Sequence, residues 1–164
     1  MKWVTREKAM VDRIACPWLI KKFIDKEAEF LFVPENQVIQ TAEKVGGIPF
    51  DVMGAELTHY QDEDGSEHVT FDALIKKYGL KDPALLELAK IVRGADAHRP
   101  SNPPPESAGL KAAARGFREI SKDDHDNMRI QFPIYDAVVS GFNIDRFKWI
   151  YAIWGYRRAE KLFA

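Results

Sequence analysis

The sequence predicts an α/β fold: a small, mainly parallel β-sheet with a β-hairpin in the N-terminal half, followed by a largely helical C-terminal half. Three observations predict it. Short runs rich in branched and aromatic residues alternate with helix-patterned runs as far as Val52. An Asp-Gly pair, Asp64-Gly65, then separates two further strand-like runs. Beyond Thr70 the apolar spacing becomes helical, punctuated by glycine and proline.

Trp3-Val4-Thr5 opens the sheet, and Asp12 to Ile24 reads as a helix whose Ile14, Leu19, Ile20 and Phe23 share a stripe. Glu29 to Val33 is the second strand. Pro34-Glu35-Asn36 starts a helix to Val45, which Gly46-Gly47 stops, and Ile48 to Val52 is the third strand. This β-α-β-α-β order calls for parallel pairing through right-handed crossovers. Glu56 to His59 then pairs with Glu67 to Thr70 around Asp62 to Gly65, because Asp and Gly both tolerate positive φ. With the turn at Asp64-Gly65, Gln61 faces His68, and His59 is its diagonal neighbour.

In the helical half, Thr70 is placed to cap Phe71 to Tyr78, with Gly79 as the stop. Asp82-Pro83 is an N-cap followed by proline at the first helical position, and Leu85, Leu88, Ala89 and Val92 stripe the helix that runs to about Arg93. Gly94 is expected to end that helix and send Asp96 and His98 into a loop. Arg99 to Pro105 reads as a rigid connector. Helices at Ser107 to Ile120, Asp123 to Val139 (interrupted at Pro133) and Asp145 to Phe163 complete the expectation.

With 164 residues, the chain is expected to be a single domain over 1–164 with one sizeable core. It is 46% hydrophobic and 30% charged, which suits a globular chain rather than a disordered one. A formal net charge of −1 supplies no global field for nucleic acid or an anionic membrane. No apolar run is long enough to span a bilayer, and one cysteine excludes an intrachain disulfide. A reduced, cytoplasmic protein is the expectation.

The single thiol, Cys16, stands beside Pro17 and Trp18. A helix beginning at Pro17 puts it at the N-cap, where the dipole and Arg13 favour a thiolate. A helix beginning near Asp12 buries it as inert packing. His59 and His68 flank the hairpin turn, and two imidazoles there, with Glu56 or Asp72 nearby, have the donor types of a divalent metal site. His59, at the hairpin's base, is the better candidate of the two. Asp96 and His98 follow a strong helix, although a histidine and an arginine there also complement the helix dipole. Asp123-Asp124-His125-Asp126 is the densest ligand-type cluster; helix capping explains its acids but not His125. The final aromatic and basic helix, Phe147 to Arg158, mixes stacking and phosphate-binding residue types, which at helical spacing also serve as core.

Trp3-Val-Thr-Arg6, Val11-Asp-Arg-Ile-Ala-Cys-Pro-Trp-Leu-Ile20, Glu29-Phe-Leu-Phe-Val-Pro34, Ile48-Pro-Phe-Asp51 and Glu56-Leu-Thr-His59 recur in order in one family. So do Phe71-Asp-Ala-Leu74, Ile91-Val-Arg-Gly-Ala-Asp96 and Asp123-Asp-His125. On these segments the chain resembles the C-terminal domain of the bacterial chromate resistance protein ChrB, to about Ala137. The family's full-length form looks like a chromate-responsive regulator with a separate N-terminal region. Val69 stands where many relatives carry a cysteine, so a thiol-rich site is not implied.

The resemblance picks out Arg13, Cys16, His59, Asp72, Arg93, Asp96, Asp124 and His125. It implies a chromate-resistance or oxidative-stress domain with a polar site for a small anion or a metal. In that reading His59, Asp96 and His125 hold a divalent metal ion, Arg13 and Arg93 clamp an anion, and Cys16, Asp72 and Asp124 complete the surroundings. A non-catalytic sensor or interaction module is the alternative, as is a small metal- or thiol-dependent enzyme on oxyanion or sulfur substrates. The aromatic final helix offers a face for a homo-oligomer.

Overall fold

Three parallel strands form the sheet: β1 (Lys2–Arg6) lies between β2 (Glu29–Val33) and β3 (Ile48–Pro49). Val4 pairs with Leu31 on one side and Pro49 on the other. The computed structural model describes the backbone of residues 1–160 and the side-chain surroundings of residues 1–143. Alternation along β1 divides the interior between the sheet's two faces. Trp3 joins a large core with Ile14, Trp18, Phe50, Phe71, Leu88 and Tyr135, whereas Val4 packs with Val38, Ala42 and Val52 on the other face.

Helix α1 (Asp12–Leu19) continues into a π-helical turn at Ile20–Ile24. Pro17 lies inside α1, so the helix does not begin at Pro17, and Cys16 is fully buried within it. A 3-10 turn at Glu35–Gln37 leads into α2 (Val38–Val45), and Gly46 ends it with φ +63°. The third strand is shorter than expected. After Pro49, Phe50 bridges to Leu57, and Asp51 takes a left-handed φ of +53°.

The hairpin exists, but Tyr60–Gln61 forms its first strand in place of Glu56 to His59, whose Leu57 bridges Phe50 instead, and the pairing is one residue out of the expected register. In strands β4 (Tyr60–Gln61) and β5 (Glu67–His68), Tyr60 faces His68 and Gln61 faces Glu67. The loop closes at its base through the Asp62 N–H on the Ser66 carbonyl, with Gly65 at φ +83°. This five-residue loop, Asp62 to Ser66, displaces the pairing from the tighter turn expected at Asp64-Gly65.

Helix α3 (Thr70–Tyr78) ends at the left-handed Gly79. Thr70 is its first helical residue rather than its cap. The Asp12 carboxylate accepts from the Thr70 and Phe71 N–H groups at 2.7 and 3.2 Å, and Asp72 accepts from the Val69 N–H at 3.1 Å. Helix α4 (Pro83–Asp96) has the expected Asp82 cap but runs through Gly94. Gly94 is a point of close approach. A Cβ there would come within 2.7 Å of Pro103 Cβ and closer still to Ser107 Oγ.

Helix α5 (Glu106–Ile120) is followed by α6 (Asp124–Glu160), one continuous helix where two were expected. Pro133 is exposed, so the carbonyl it leaves unpaired can face water. Gly141 does not take the left-handed φ that would have stopped the helix. Residues 161–163 of the expected last helix, and the side chains of its aromatic and basic face, lie outside the described residues. Among the described residues no helix is long and apolar enough to cross a membrane.

Candidate functional site

Four segments end at one point beside the sheet. Asp12 begins α1, Asp51 follows β3, His59 precedes the hairpin and Asp96 closes α4. His59 Nε2 lies 3.5 Å from Asp12 Oδ2, 3.4 Å from Asp51 Oδ1 and 3.4 Å from Asp96 Oδ2. Its Nδ1 lies 3.9 Å from Glu67 Oε1. Ligand-type atoms of Asp12, His59 and Asp96 all lie within 4.8 Å of one another, and no other such group of three occurs among the described residues.

Each carboxylate is fixed by the fold around it. Asp12 caps α3, as above, and also accepts from the Cys16 thiol at 3.4 Å. Asp51 accepts from Thr70 Oγ1 at 2.9 Å and Arg6 Nη2 at 3.1 Å, with Arg13 Nη1 at 3.4 Å; Arg6 Nε donates to its backbone carbonyl. Its left-handed φ aims the side chain back into this junction, and strain of this kind persists only where the surroundings hold it. Arg6, Met10, Val11, Asp12, Arg13, Asp51 and Asp96 line a cleft of about 120 Å³ that opens beside the cluster.

The electrostatics follow from crowding carboxylates onto one imidazole. The Asp12, Asp51 and Asp96 carboxylates crowded 3.4–3.5 Å from Nε2 push the His59 imidazole up to about 12, against its partial burial. Burial pushes the Asp12 carboxyl up to about 6, with Asp96 and Asp51 adding to the rise and the imidazole opposing it. Burial also acts against the Asp51 charge, yet the nearby His59 imidazole and the Arg13 and Arg6 guanidiniums hold its carboxyl below the ordinary range. The Cys16 thiol is raised by burial first, then by the Asp12 and Asp51 charges, which removes the thiolate that an N-cap position would have favoured.

The residues singled out by sequence fall into three places. His59, Asp96, Arg13 and Cys16 meet at this junction, with Cys16 behind it as a hydrogen-bond donor to Asp12. Asp72 and Arg93 form a separate pair, Arg93 Nε and Nη2 reaching the two Asp72 oxygens at 2.8 and 2.7 Å, so α4 is tied to α3. His68 belongs to that second group. Its Nε2 is 2.7 Å from Asp62, and its ring stacks on Tyr60 at 4.7 Å, so it does not share ligands with His59.

Asp124 and His125 lie at the start of α6. Asp124 accepts from the Lys8 and Ala9 N–H groups at 2.9 and 2.7 Å, which makes it the anchor of the turn after β1. His125 is exposed, packs edge-on against Phe32 at 5.3 Å and does not join Asp12, His59 and Asp96.

Asp12 and Asp51 are the functional candidates that sequence reasoning missed. Asp12 reads as half of a charged pair with Arg13, and Asp51 as the end of a strand. The available signal was context: a carboxylate between Val11 and Ile14, or after Ile48-Pro-Phe50, is bound for burial and needs partners there.

The family model for the ChrB C-terminal domain matches residues 3–142. Protein ChrB of Cupriavidus metallidurans is 36% identical over 146 residues, which is 88% of this chain and 42% of that protein. The chain thus spans less than half the length of this curated relative. No solved structure matches. The matched region contains every residue of the junction, from Arg6 to Asp96, and the chain belongs to the ChrB C-terminal domain family.

Proposed function

We propose that this chromate-resistance-family domain binds one divalent cation through Asp12, His59 and Asp96, and acts as a sensor module whose packing reports that occupancy. One observation carries the reading: oxygens of Asp12 and Asp96 stand 3.5 and 3.4 Å from His59 Nε2, and the three ligand-type atoms lie within 4.8 Å of one another. Charge-assisted hydrogen bonds close to roughly 2.7–2.9 Å. Ligands about 2.1 Å from a tetrahedral ion sit about 3.4 Å apart, which matches the spacing of His59 Nε2 from each of the two carboxylates. One imidazole with carboxylates suits a borderline ion of the Zn²⁺ or Mn²⁺ kind.

Charge supports a cation over a free anion. Asp12, Asp51, Asp96 and Glu67 surround His59, while Arg6 and most of Arg13 are engaged with Asp51 and a backbone carbonyl. Sensing fits better than turnover because the ligands come from α1, the segment before the hairpin and α4. Asp12 simultaneously caps α3, so an ion drawing on its oxygens bears directly on how these elements are joined.

The test is zinc and manganese binding to chelator-treated protein by calorimetry, with elemental analysis of the loaded form. His59→Ala and Asp96→Asn are expected to weaken binding on the order of 100-fold, and His125→Ala to leave it unchanged. Equal affinity in wild type, His59→Ala and Asp96→Asn would sink the reading.

A further inference from the structure

We propose, resting on the cation reading above, that Glu67 is the positioning residue of the site: its carboxylate takes the Nδ1–H of His59 and so presents Nε2 to the ion. The hairpin register brings the two side chains together. Gln61 pairs with Glu67 across the strands, and His59 stands two residues before Gln61, on the same face. Glu67 is therefore the diagonal neighbour of His59, and its Oε1 lies 3.9 Å from Nδ1. In the register expected from sequence, His68 would hold that place. The shift by one residue exchanges a second imidazole for a carboxylate, and so a ligand type for a hydrogen-bond acceptor. Among the described residues Glu67 is the one carboxylate paired with Nδ1, whereas Asp12, Asp51 and Asp96 all face Nε2.

Glu67 is built to orient rather than to ligate. It faces the other ring nitrogen and does not belong to the Asp12, His59 and Asp96 group. Both of its oxygens are already held: Oε1 accepts from the His98 N–H and Oε2 from the Arg99 N–H, each at 3.0 Å. Those amides follow Asp96 directly after α4 ends, so one carboxylate grips the chain beyond one ligand while it faces another. The hairpin strands are two residues each, too short to fix His59 by their own pairing. At 3.9 Å the contact is one of charge, and a small turn of the ring closes it to a hydrogen bond. Histidine ligands ordinarily donate their second ring N–H to such a carboxylate, which fixes the tautomer and makes the other nitrogen the better donor to a metal.

Zinc titrations of the full chain, in a double-mutant cycle of Glu67→Gln and His59→Ala, test this. Glu67→Gln alone is expected to weaken zinc binding about 10- to 100-fold. In the His59→Ala background the same substitution is expected to change the affinity by less than about twofold, because its effect runs through the imidazole. An equal loss in both backgrounds would mean that Glu67 only ties the hairpin to the chain after Asp96, and overturns the proposal. Unchanged affinity in Glu67→Gln does the same. Long-range proton–nitrogen NMR of the zinc-loaded wild type adds a readout that mere tethering does not set: zinc on Nε2 and a proton on Nδ1 of His59. Zinc on Nδ1 instead overturns the proposal, and this spectrum alone decides if circular dichroism shows that Glu67→Gln does not fold. Each of these outcomes leaves the cation site standing, whereas absence of zinc binding in wild type overturns the cation reading itself.

Discussion

Asp12 serves two structural roles in addition to its place in the candidate site. Its two oxygens cap the first turn of α3, and one of them receives the Cys16 thiol. Charged caps of this sort are worth about 1–2 kcal/mol, so Asp12 couples any event at the site to the packing of α1 on α3. His59 sets the pH behaviour. Its folded-state value is raised from 6.5 to about 12, so its stabilising charge is fully present below about pH 6.5 and is lost as pH rises toward 12. In metal-free buffer, urea unfolding should therefore show wild-type stability falling between about pH 7 and about pH 10. The His59→Asn variant should be flatter over the same span. A wild-type profile parallel to that of His59→Asn would contradict the assignment of the charge to His59.

Elements were legible where their signals were local. The three strands, α2 with its Gly46 stop and α4 with its Asp82-Pro83 start each depend on a few neighbouring residues, and each appears near its expected place. The failures share a physical cause, because tertiary contact decided them. Gly94 carries a stop signal in sequence, but its missing side chain is used to seat α4 against Pro103 and Ser107, whose hydroxyl donates to the Ile91 carbonyl at 2.9 Å. Pro133 carries a break signal, but on an exposed face its lost hydrogen bond is tolerable and α6 continues. Thr70 carries a cap signal, but Asp12 does the capping from 58 residues away. Gly94→Ala should consequently destabilise by about 1–3 kcal/mol through overpacking, although alanine is the better helix former. Chemical denaturation would show this; a stabilised variant would mean that the glycine is there for another reason.

Across the whole molecule, the candidate ligands belong to segments far apart in sequence, which explains why only half of the junction was legible. His59 and Asp96 stood out by residue type, whereas Asp12 and Asp51 acquire meaning only once β1, α1 and α4 converge. The same dispersion predicts a global response to metal. An ion held by α1, the segment before the hairpin and α4 binds the folded state alone. At a free concentration 100 times its dissociation constant it should add about 2.7 kcal/mol to unfolding. Thermal melts with and without zinc would measure this, and the Asp96→Asn variant should show little of the increase.

The turn after β1 has a consequence for how the chain is made. The first of the three strands in sequence is the middle strand of the sheet, and the amides that follow it, at Lys8 and Ala9, are accepted by the Asp124 carboxylate. A ribosome releasing this chain residue by residue exposes Trp3 long before Tyr135 of α6 exists to complete the core around it. The three strands are complete by Pro49, whereas the turn leaving the central strand stays unfastened in any nascent chain that ends before Asp124.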